Sequence, residues 1–381
     1  MTTVVFVGLR AGALDAAERM GLSVVAVTEA PPGPKRAARL AGSVQVPFDA
    51  PPEAWGETAW ALRRHRPAAV VALTERSVLP AARLRAALGL GGVQPHAAHL
   101  CTDKRAMKRA ARAAGIACAD VVEADDRLDP DALVERLGLP LVVKPAAGSG
   151  GRGTRVIRDR ARLPGPLPEG WMAESFVDGV EMSVESLGGP GAGGAVWTNP
   201  TRYLVPMWAS LVPAPPDTPH LDAVRAMAAA ARDALGVERS MTHLEVFLTE
   251  SGPVFGELAA RPPGGHLMAL IRHAYGVDPW EAALRSELGD DPGLPARPER
   301  AAAAWIVHPG AGRVVRAEGA EACRTLPGVE EVALRVGPGD EVTARAGSGE
   351  EVGHVIVTGE TAAEAEARVR MARAALRVEV G

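Results

Sequence analysis

The stretch Leu141-Val142-Val143-Lys144-Pro145-Ala146-Ala147-Gly148-Ser149-Gly150-Gly151-Arg152-Gly153-Thr154-Arg155-Val156-Ile157 decides how the chain is read. The apolar residues before Lys144 predict a short buried strand, and Arg155–Ile157 predict a second. Between them lie four glycines in the six residues 148–153. A hairpin turn rarely needs so many. Glycine reaches positive φ without strain and lets backbone N–H groups approach an anion closely. The pattern therefore predicts a flap of strand, glycine loop and strand that covers phosphate, with Lys144 at its root. A Walker loop is a different device, because it joins a strand to a helix and ends in Gly-Lys-Ser/Thr.

Lysine usage points the same way. Of 42 basic residues only Lys35, Lys104, Lys108 and Lys144 are lysine. An ammonium is a compact, mobile point charge, whereas a guanidinium is a flat fork. A chain that uses arginine almost everywhere but keeps lysine before a glycine loop fits a need for that point charge. Lys104 opens the segment Thr102-Asp103-Lys104-Arg105-Ala106-Met107 and is a second candidate.

Toward the N-terminus, the runs Val4–Val7, Leu22–Val27 and Ala68–Leu73 predict strands, and Ala11–Met20 predicts a helix. Strands alternating with helices indicate a parallel, doubly wound α/β layer over residues 1–98. Its first turn, Gly8-Leu9-Arg10-Ala11-Gly12, lacks the third glycine of a dinucleotide site. Helices are expected at 103–115, 131–137, 223–235, 279–288 and 362–376. Further strands are expected at 172–176, 180–187, 242–248, 253–258, 303–307, 312–317, 329–336 and 352–357. A turn is read at 188–194 and a linker at 289–300. The fold class is α/β followed by α+β, with units at 1–98, 99–290 and 301–381.

Composition narrows the function. A length of 381 residues allows several structural units, and 47% apolar with 23% charged residues is ordinary for a soluble protein. The net charge of −4 does not indicate a nucleic-acid partner. Cys101, Cys118 and Cys323 are too scattered for a disulfide framework or a zinc site. No apolar run approaches the ~20 residues of a membrane span. The first residues lack the pattern of a signal peptide. A cytoplasmic protein is expected.

The densest chemistry lies in Thr242-His243-Leu244-Glu245-Val246-Phe247 and Phe255-Gly256-Glu257-Leu258-Ala259-Ala260-Arg261-Pro262-Pro263-Gly264-Gly265-His266. A hairpin would bring Glu245 and Glu257 together. Paired hard oxygens suit magnesium, whose shell phosphate and water complete. Arg261 would face an anion beside them. Upstream, Glu174, Glu181 and Glu185 fall within apolar strands. A buried carboxylate needs a partner, although solvent-facing alternation fits Glu185 better than Glu181. Trp197, Tyr203 and Trp208 suggest either a shaped pocket or core packing. Arg202 suits a substrate carboxylate or a surface acid.

Taken together, these segments resemble the ATP-grasp superfamily, and more narrowly the amino-acid and dipeptide ligases of bacterial specialised metabolism, over nearly the whole chain. The resemblance implies a pre-ATP-grasp domain, an ATP-grasp core with lobes at about 116–178 and 179–290, and a small C-terminal domain. It implies that Lys104 and Lys144 touch ATP phosphates, with Lys144 also near the adenine. Gly148, Ser149, Gly150, Gly151 and Gly153 would close over the β- and γ-phosphates. Glu174 and the backbone of Phe176 and Val177 would form the adenine hinge, and Glu181 would hold the ribose. Glu245 and Glu257 would bind one or two Mg²⁺ (or Mn²⁺). Arg261 would steady the γ-phosphate and the acyl phosphate, making Arg261, Glu257 and Lys144 the catalytic set. The substrates implied are a small carboxylic acid and an amine, with Glu185, Arg202, Trp208, His243, Gly264, Gly265 and His266 near them. His243 and His266 are candidates for a base or for shaping the pocket. A homodimer is expected by analogy. One departure is Ala259, where many relatives carry a metal-binding asparagine; the only asparagine here is Asn199. The competing expectations are a carboxylating or purine-pathway ATP-grasp enzyme and an inactive nucleotide-binding protein.

Overall fold

The structure, a computed structural model, describes residues 1–123, 129–148, 150–163, 165–189, 195–345, 347 and 349–381. The N-terminal segment runs β1 (Thr3–Val7), α1 (Ala11–Arg19), β2 (Ser23–Thr28), α2 (Pro34–Ala37), β3 (Gly42–Gln45), α3 (Pro52–Leu62), β4 (Pro67–Ala72), α4 (Val78–Leu88) and α5 (Pro95–Thr102). Its sheet has the order β3-β2-β1-β4, and every pair is parallel. Successive side chains of a strand face opposite ways. Here both faces are covered, which explains the unbroken apolar runs. Val5, Val7, Val25 and Val27 pack with Trp55, Leu62 and Leu84. Val4, Phe6 and Val24 pack with Leu14, Ala17 and Leu284 on the other side.

Next come α6 (Lys104–Ala113), β5 (Val121–Glu123), α7 (Pro130–Leu137), β6 (Leu141–Pro145), β7 (Arg155–Ile157) and β8 (Trp171–Ser175). The strands form an antiparallel sheet, β5-β8-β6-β7, in which β6 and β7 flank the glycine loop. Val122, Leu133, Leu141, Val143, Ile157 and Ala173 form its core.

The remaining elements are β9 (Val180–Gly188), β10 (Ala195–Val205), β11 (Ala209–Val212), α8 (Leu221–Leu235), β12 (Met241–Thr249), β13 (Gly252–Ala259), α9 (Leu267–Tyr275), α10 (Pro279–Leu288), β14 (Ala301–Val307), β15 (Gly312–Glu318), α11 (Ala320–Arg324), β16 (Val329–Leu334), β17 (Glu341–Val342), β18 (Gly353–Gly359), α12 (Ala362–Ala375) and β19 (Arg377–Val380). Eight strands join in one antiparallel sheet, β13-β12-β9-β10-β11-β14-β18-β16. The segment expected as a separate C-terminal unit thus extends the central sheet through the β11–β14 pairing, and adds a small sheet of β17, β15 and β19. Part of the turn expected at 188–194 lies outside the described residues.

Alternation along the central strands sorts chemistry from core. Met182, Val184, Leu244, Val246 and Leu258 point into an apolar layer with Val224, Met227, Ala228 and Ala231 of α8. The opposite face carries Glu181, Ser183 and Glu185 of β9, Asn199 and Thr201 of β10, His243 and Glu245 of β12, and Glu257 of β13, which the register sets side by side. This polar face forms the floor of a cleft beneath the flap.

Candidate active site

Asp103 caps α6, its carboxylate accepting from the backbone N–H of Arg105 (2.9 Å) and Ala106 (3.1 Å). The cap fixes Lys104 on the first turn. The backbone N–H of Lys104 donates to the Ala146 carbonyl at 2.8 Å, which ties the helix start to the strand entering the flap. Its Nζ lies 2.7 Å from the Gly148 carbonyl and 3.3 Å from Glu257 Oε2. One turn later Lys108 is buried; its Nζ donates to the Phe255 carbonyl at 2.9 Å and lies 3.5 Å from Glu174 Oε2. Lys144 Nζ is 2.5 Å from Glu174 Oε1. Three of the four lysines therefore converge here. Lys108 was not among the residues expected from sequence, although its spacing of four from Lys104 places both on one helix face.

Burial works against every charge in this group, yet the pairing outweighs it for two of them. Lys108 and Lys144 hold Glu174 below the usual carboxylate range despite burial. Burial would lower Lys144, but Glu174 and Glu257 overcome it and raise its pKa. For Lys108 burial wins and the pKa falls, with Glu174 opposing. Glu174 thus serves as the counter-ion that positions two ammonium groups. The Phe176 N–H makes a long bond of 3.4 Å to the Pro140 carbonyl, and Val177 follows it in the link from β8 to β9.

In the flap, Gly148, Gly150, Gly151 and Gly153 have φ of 124, 69, 71 and 77°, a region that residues with a Cβ rarely enter. At Gly153 a Cβ would also press on the Pro145 ring at 3.1 Å. Ser149 lies outside the described residues.

Glu245 and Glu257 are direct register partners across β12 and β13. Burial and the facing Glu245 push Glu257 upward. Burial also acts to raise Glu245, but His243, Lys144 and Arg261 bring it below the ordinary range. Glu181 is pushed up to about 7 by burial and by these two acids. Two hard, mutually repelling carboxylates fit a divalent cation that would relieve the repulsion. Among the described residues no group of three or more His, Cys, Asp or Glu could hold a metal. Two carboxylates leave the rest of a magnesium shell to substrate phosphate and water. Ala259 stands two residues beyond Glu257 and offers no ligand.

Two expectations are corrected in this face. Glu185 does not point to solvent; it is fully buried. Oε1 accepts from Ser183 Oγ (2.8 Å) and pairs with His243 Nδ1 (2.9 Å), while Oε2 accepts from Thr201 Oγ1 (2.5 Å) and Asn199 Nδ2 (3.3 Å). Its lone pairs are committed to this network, which Tyr275 extends by donating to Asn199 Oδ1 at 3.0 Å. Nor does His243 suit a general base. Burial would lower its pKa, but bonding to Glu185 and Glu245 raises it to about 9, so it is an imidazolium at neutral pH. It bridges Glu185 to Glu245, 3.7 Å from Nε2, and orients that carboxylate.

Arg261 Nε donates at 2.9 Å to Oε2 of Glu75, a residue just beyond β4. Beside it Arg10 donates to the carbonyls of Pro262 (3.1 Å) and Pro263 (2.8 Å) and lies over the Trp280 ring. Burial and Arg261 push Arg10 down to about 10. Next to Glu75 opens a cavity of about 470 Å³ lined by Gly8, Leu9, Thr28, Glu29, Arg36 and Thr74. It lies at the C-terminal ends of β1, β2 and β4, where open α/β sheets receive ligands. Arg10 and Glu75 went unforeseen because their partners lie more than 180 residues away in sequence.

The remaining substrate candidates divide. Arg202 is largely exposed and pairs with Glu366 of α12 at 3.6 Å, so its partner is a surface acid. Trp197 is core: its Nε1 donates to the Pro295 carbonyl and its ring meets Tyr275 edge-on. Trp208 lies under the guanidinium of Arg345, 4.7 Å from ring centre to Cζ. Gly264 and Gly265 lead into α9, and His266, its N-cap, stacks on His354 and pairs with Glu351 at 3.3 Å.

The glycine flap over a floor of paired carboxylates, with lysines from two elements, is the arrangement of an ATP-grasp fold. Residues 103–179 match the family model for the ATP-binding domain of the carbamoyl-phosphate synthase L chain, and residues 304–381 match that for L-amino acid ligase C-terminal domain 2. The L-arginine-specific L-amino acid ligase of Bacillus subtilis is 27% identical over 292 residues, 71% of this chain and 70% of that protein. The crystal structure of the L-amino acid ligase from Bacillus licheniformis superposes with a TM-score of 0.81 at 20% identity, covering 100% of this chain and 99% of that one. The N5-carboxyaminoimidazole ribonucleotide synthetase of Thermotoga maritima superposes with a TM-score of 0.77 at 18% identity, both chains covered completely. The chain is an ATP-grasp enzyme of the carbon–nitrogen ligase type, close to the L-amino-acid ligases.

Proposed function

We propose that this enzyme couples an amino acid or similar small carboxylic acid to an amine, forming an amide while ATP becomes ADP and phosphate. The observation that supports it most is the convergence of Lys104, Lys108 and Lys144 with Glu245 and Glu257 on one cleft under a glycine flap. In the first step a carboxylate oxygen attacks the γ-phosphorus, and the bond to the β-phosphate oxygen breaks. In the second, an amine nitrogen attacks the acyl carbon and phosphate leaves, the amine proton passing to phosphate or water.

Lys104 and Lys144 hold phosphate oxygens as point charges, a largely electrostatic and positional contribution. Glu174 keeps Lys144 in place, and Lys108 keeps Glu174 charged. The flap glycines close over the triphosphate and shield the acyl phosphate from water. Arg261, steadied by Glu75, faces the transferred group. Glu245 and Glu257 would hold Mg²⁺, which neutralises charge on the phosphates when bound. His243 keeps the Glu245 carboxylate oriented toward that ion. Glu174 with the Phe176–Val177 link would border the adenine, and Glu181 would meet the ribose.

The test is phosphate release from ATP and Mg²⁺ across pairs of amino acids, with products identified by mass spectrometry. Release that requires both an acid and an amine, with a product lighter by one water than its parts, is expected. Release that depends on bicarbonate instead would indicate a carboxylating enzyme. Tight nucleotide binding without release in any pairing would indicate an inactive binder. Glu257→Ala and Arg261→Ala should each abolish turnover while the melting temperature stays within a few degrees; activity like that of the unaltered enzyme in either variant would count against the role of the residue replaced.

A further inference from the structure

Arg345 follows β17 and lies on the face of Trp208. Its Nε and Nη2 are both buried, and neither has a hydrogen-bond partner among the described residues. No ion pair to it forms among the described residues. The fully buried Arg85 and Arg232 each leave only Nε unmet, and their terminal nitrogens are partnered. Arg85 pairs with Glu287 at 3.0 Å, and Arg232 donates to the Ser240 and Glu238 carbonyls and to Thr242 Oγ1. The half-buried Arg345 thus turns two covered, unmet N–H donors of a cationic fork toward a place that an anion would fill. The two unmet donors lie on the same edge of the guanidinium. That edge grips a carboxylate with two parallel N–H···O bonds.

The chain that follows Arg345 is tied to the reaction cleft. The loop that begins at Arg345 returns through Glu350 and Glu351. Glu350 pairs with Arg152 at the tip of the flap at 2.6 Å, and Gly347 lies against the same Arg152 side chain. Glu351 pairs with His266, five residues beyond Arg261. Trp208 is fixed from behind. Its carbonyl accepts from Ile306 N–H at 2.8 Å, its N–H donates to Val205 at 2.9 Å, and Met207 holds a left-handed φ of 66° to make the turn. A non-glycine residue kept in that conformation signals a position that the fold enforces. Stacking on the indole immobilises the guanidinium plane and leaves its edge free.

We propose that Arg345 is a specificity-determining residue that receives the carboxylate of the amino acid whose amine is acylated, with Trp208 as its backing. The inference rests on the ligase reading above. The carboxylate that reacts must reach the phosphates held by Lys104 and Lys144. The second substrate carries a carboxylate that must not react, and a bidentate grip by a fork away from those lysines holds it so.

The experiment uses the full-length enzyme and an amino-acid pair that it joins. KM for each substrate is measured in the unaltered enzyme, R345Q and R345K, with thermal melts as the folding control. In R345Q, KM for the amine-donating amino acid should rise ten- to a hundredfold, while KM for ATP and for the acyl donor stays within twofold. The primary amide of that amino acid should be a poor substrate for the unaltered enzyme and be used equally by R345Q. R345K should recover part of the loss. An unchanged KM, a loss confined to ATP or the acyl donor, or equal losses for acid and amide would overturn the assignment. Should the variants fail to fold, the unaltered enzyme suffices, because equal KM for the free acid and its amide overturns it as well. Amide formation that is indifferent to Arg345 defeats this inference alone; no amide product from any pair defeats the ligase reading with it.

Discussion

Glu174 sits between two ammonium groups in a setting with little water, so its energetics are those of a buried ion pair. Removing one partner of such a pair costs about 3–5 kcal/mol, because the other charge is left uncompensated. Lys108→Met should lower unfolding free energy by about that amount in urea titrations, and the double variant Lys108→Met/Glu174→Gln should regain part of it. Strict additivity of the two losses would contradict the pairing. Lys144→Arg keeps the charge but loses its compact shape, and nucleotide affinity measured by titration should fall at least tenfold; near-normal affinity would show that a fork suffices there. His243 offers a pH test. Its folded pKa of about 9 exceeds the ordinary value of 6.5, so its pairing stabilises the fold fully below about pH 6.5, and that contribution is lost as pH rises through 9. The melting temperature of metal-free His243→Gln should lie below that of the unaltered protein at pH 6, with the gap closing by pH 10. Lys104, Lys144, Glu245 and Glu257 were legible in the sequence because each belongs to a local pattern. Lys108, Glu75 and Arg10 were not, because their partners come from distant elements. Glu185 was misread because a polar face on β9 signals solvent in a two-layer sheet, whereas here it lines a cleft shared with β10 and β12.

At the level of elements, the β12–β13 hairpin turns a sequence spacing into electrostatics. Its register forces two carboxylates onto one face, and Glu181 from β9 adds a third. Burial, with repulsion from Glu245 and Glu257, pushes Glu181 up to about 7, so it is half-protonated near neutral pH. Binding of Mg²⁺ and nucleotide should therefore release protons at pH 7, seen by calorimetry in buffers of different ionisation enthalpy. The release should shrink in Glu181→Gln. No buffer dependence in the unaltered enzyme would contradict the proposed charge coupling. The flap and hairpin were readable because glycine clusters and paired apolar runs punctuate them. Several other elements were hidden. Both α3 and α5 begin at a proline with no side-chain cap before it, whereas the proline-led α7 and α10 are announced by Asp129 and Asp278. The start of α9 is masked by Gly264-Gly265, and its register on the core depends on tertiary packing.

Across the whole molecule, the cleft is assembled from all parts of the chain. Arg261 is held by Glu75 of the N-terminal layer, and the flap tip by Glu350 near the C-terminus. The buried pair Arg85–Glu287 ties α4 to α10. Arg85→Ala should destabilise the protein by about 3–5 kcal/mol and lower activity through the melting temperature, with KM unchanged in the cold. The continuity of the eight-stranded sheet could not be read from the sequence, because β11 and β14 lie far apart in the chain and pair through alanine-rich strands without a distinctive pattern. The most direct measurement is a crystal structure with Mg²⁺ and a non-hydrolysable ATP analogue. The cation should be found between Glu245 and Glu257, with the triphosphate under residues 148–153 and within reach of Lys104 and Lys144. A triphosphate bound elsewhere, or the two glutamates turned apart with no cation between them, would contradict the assignment.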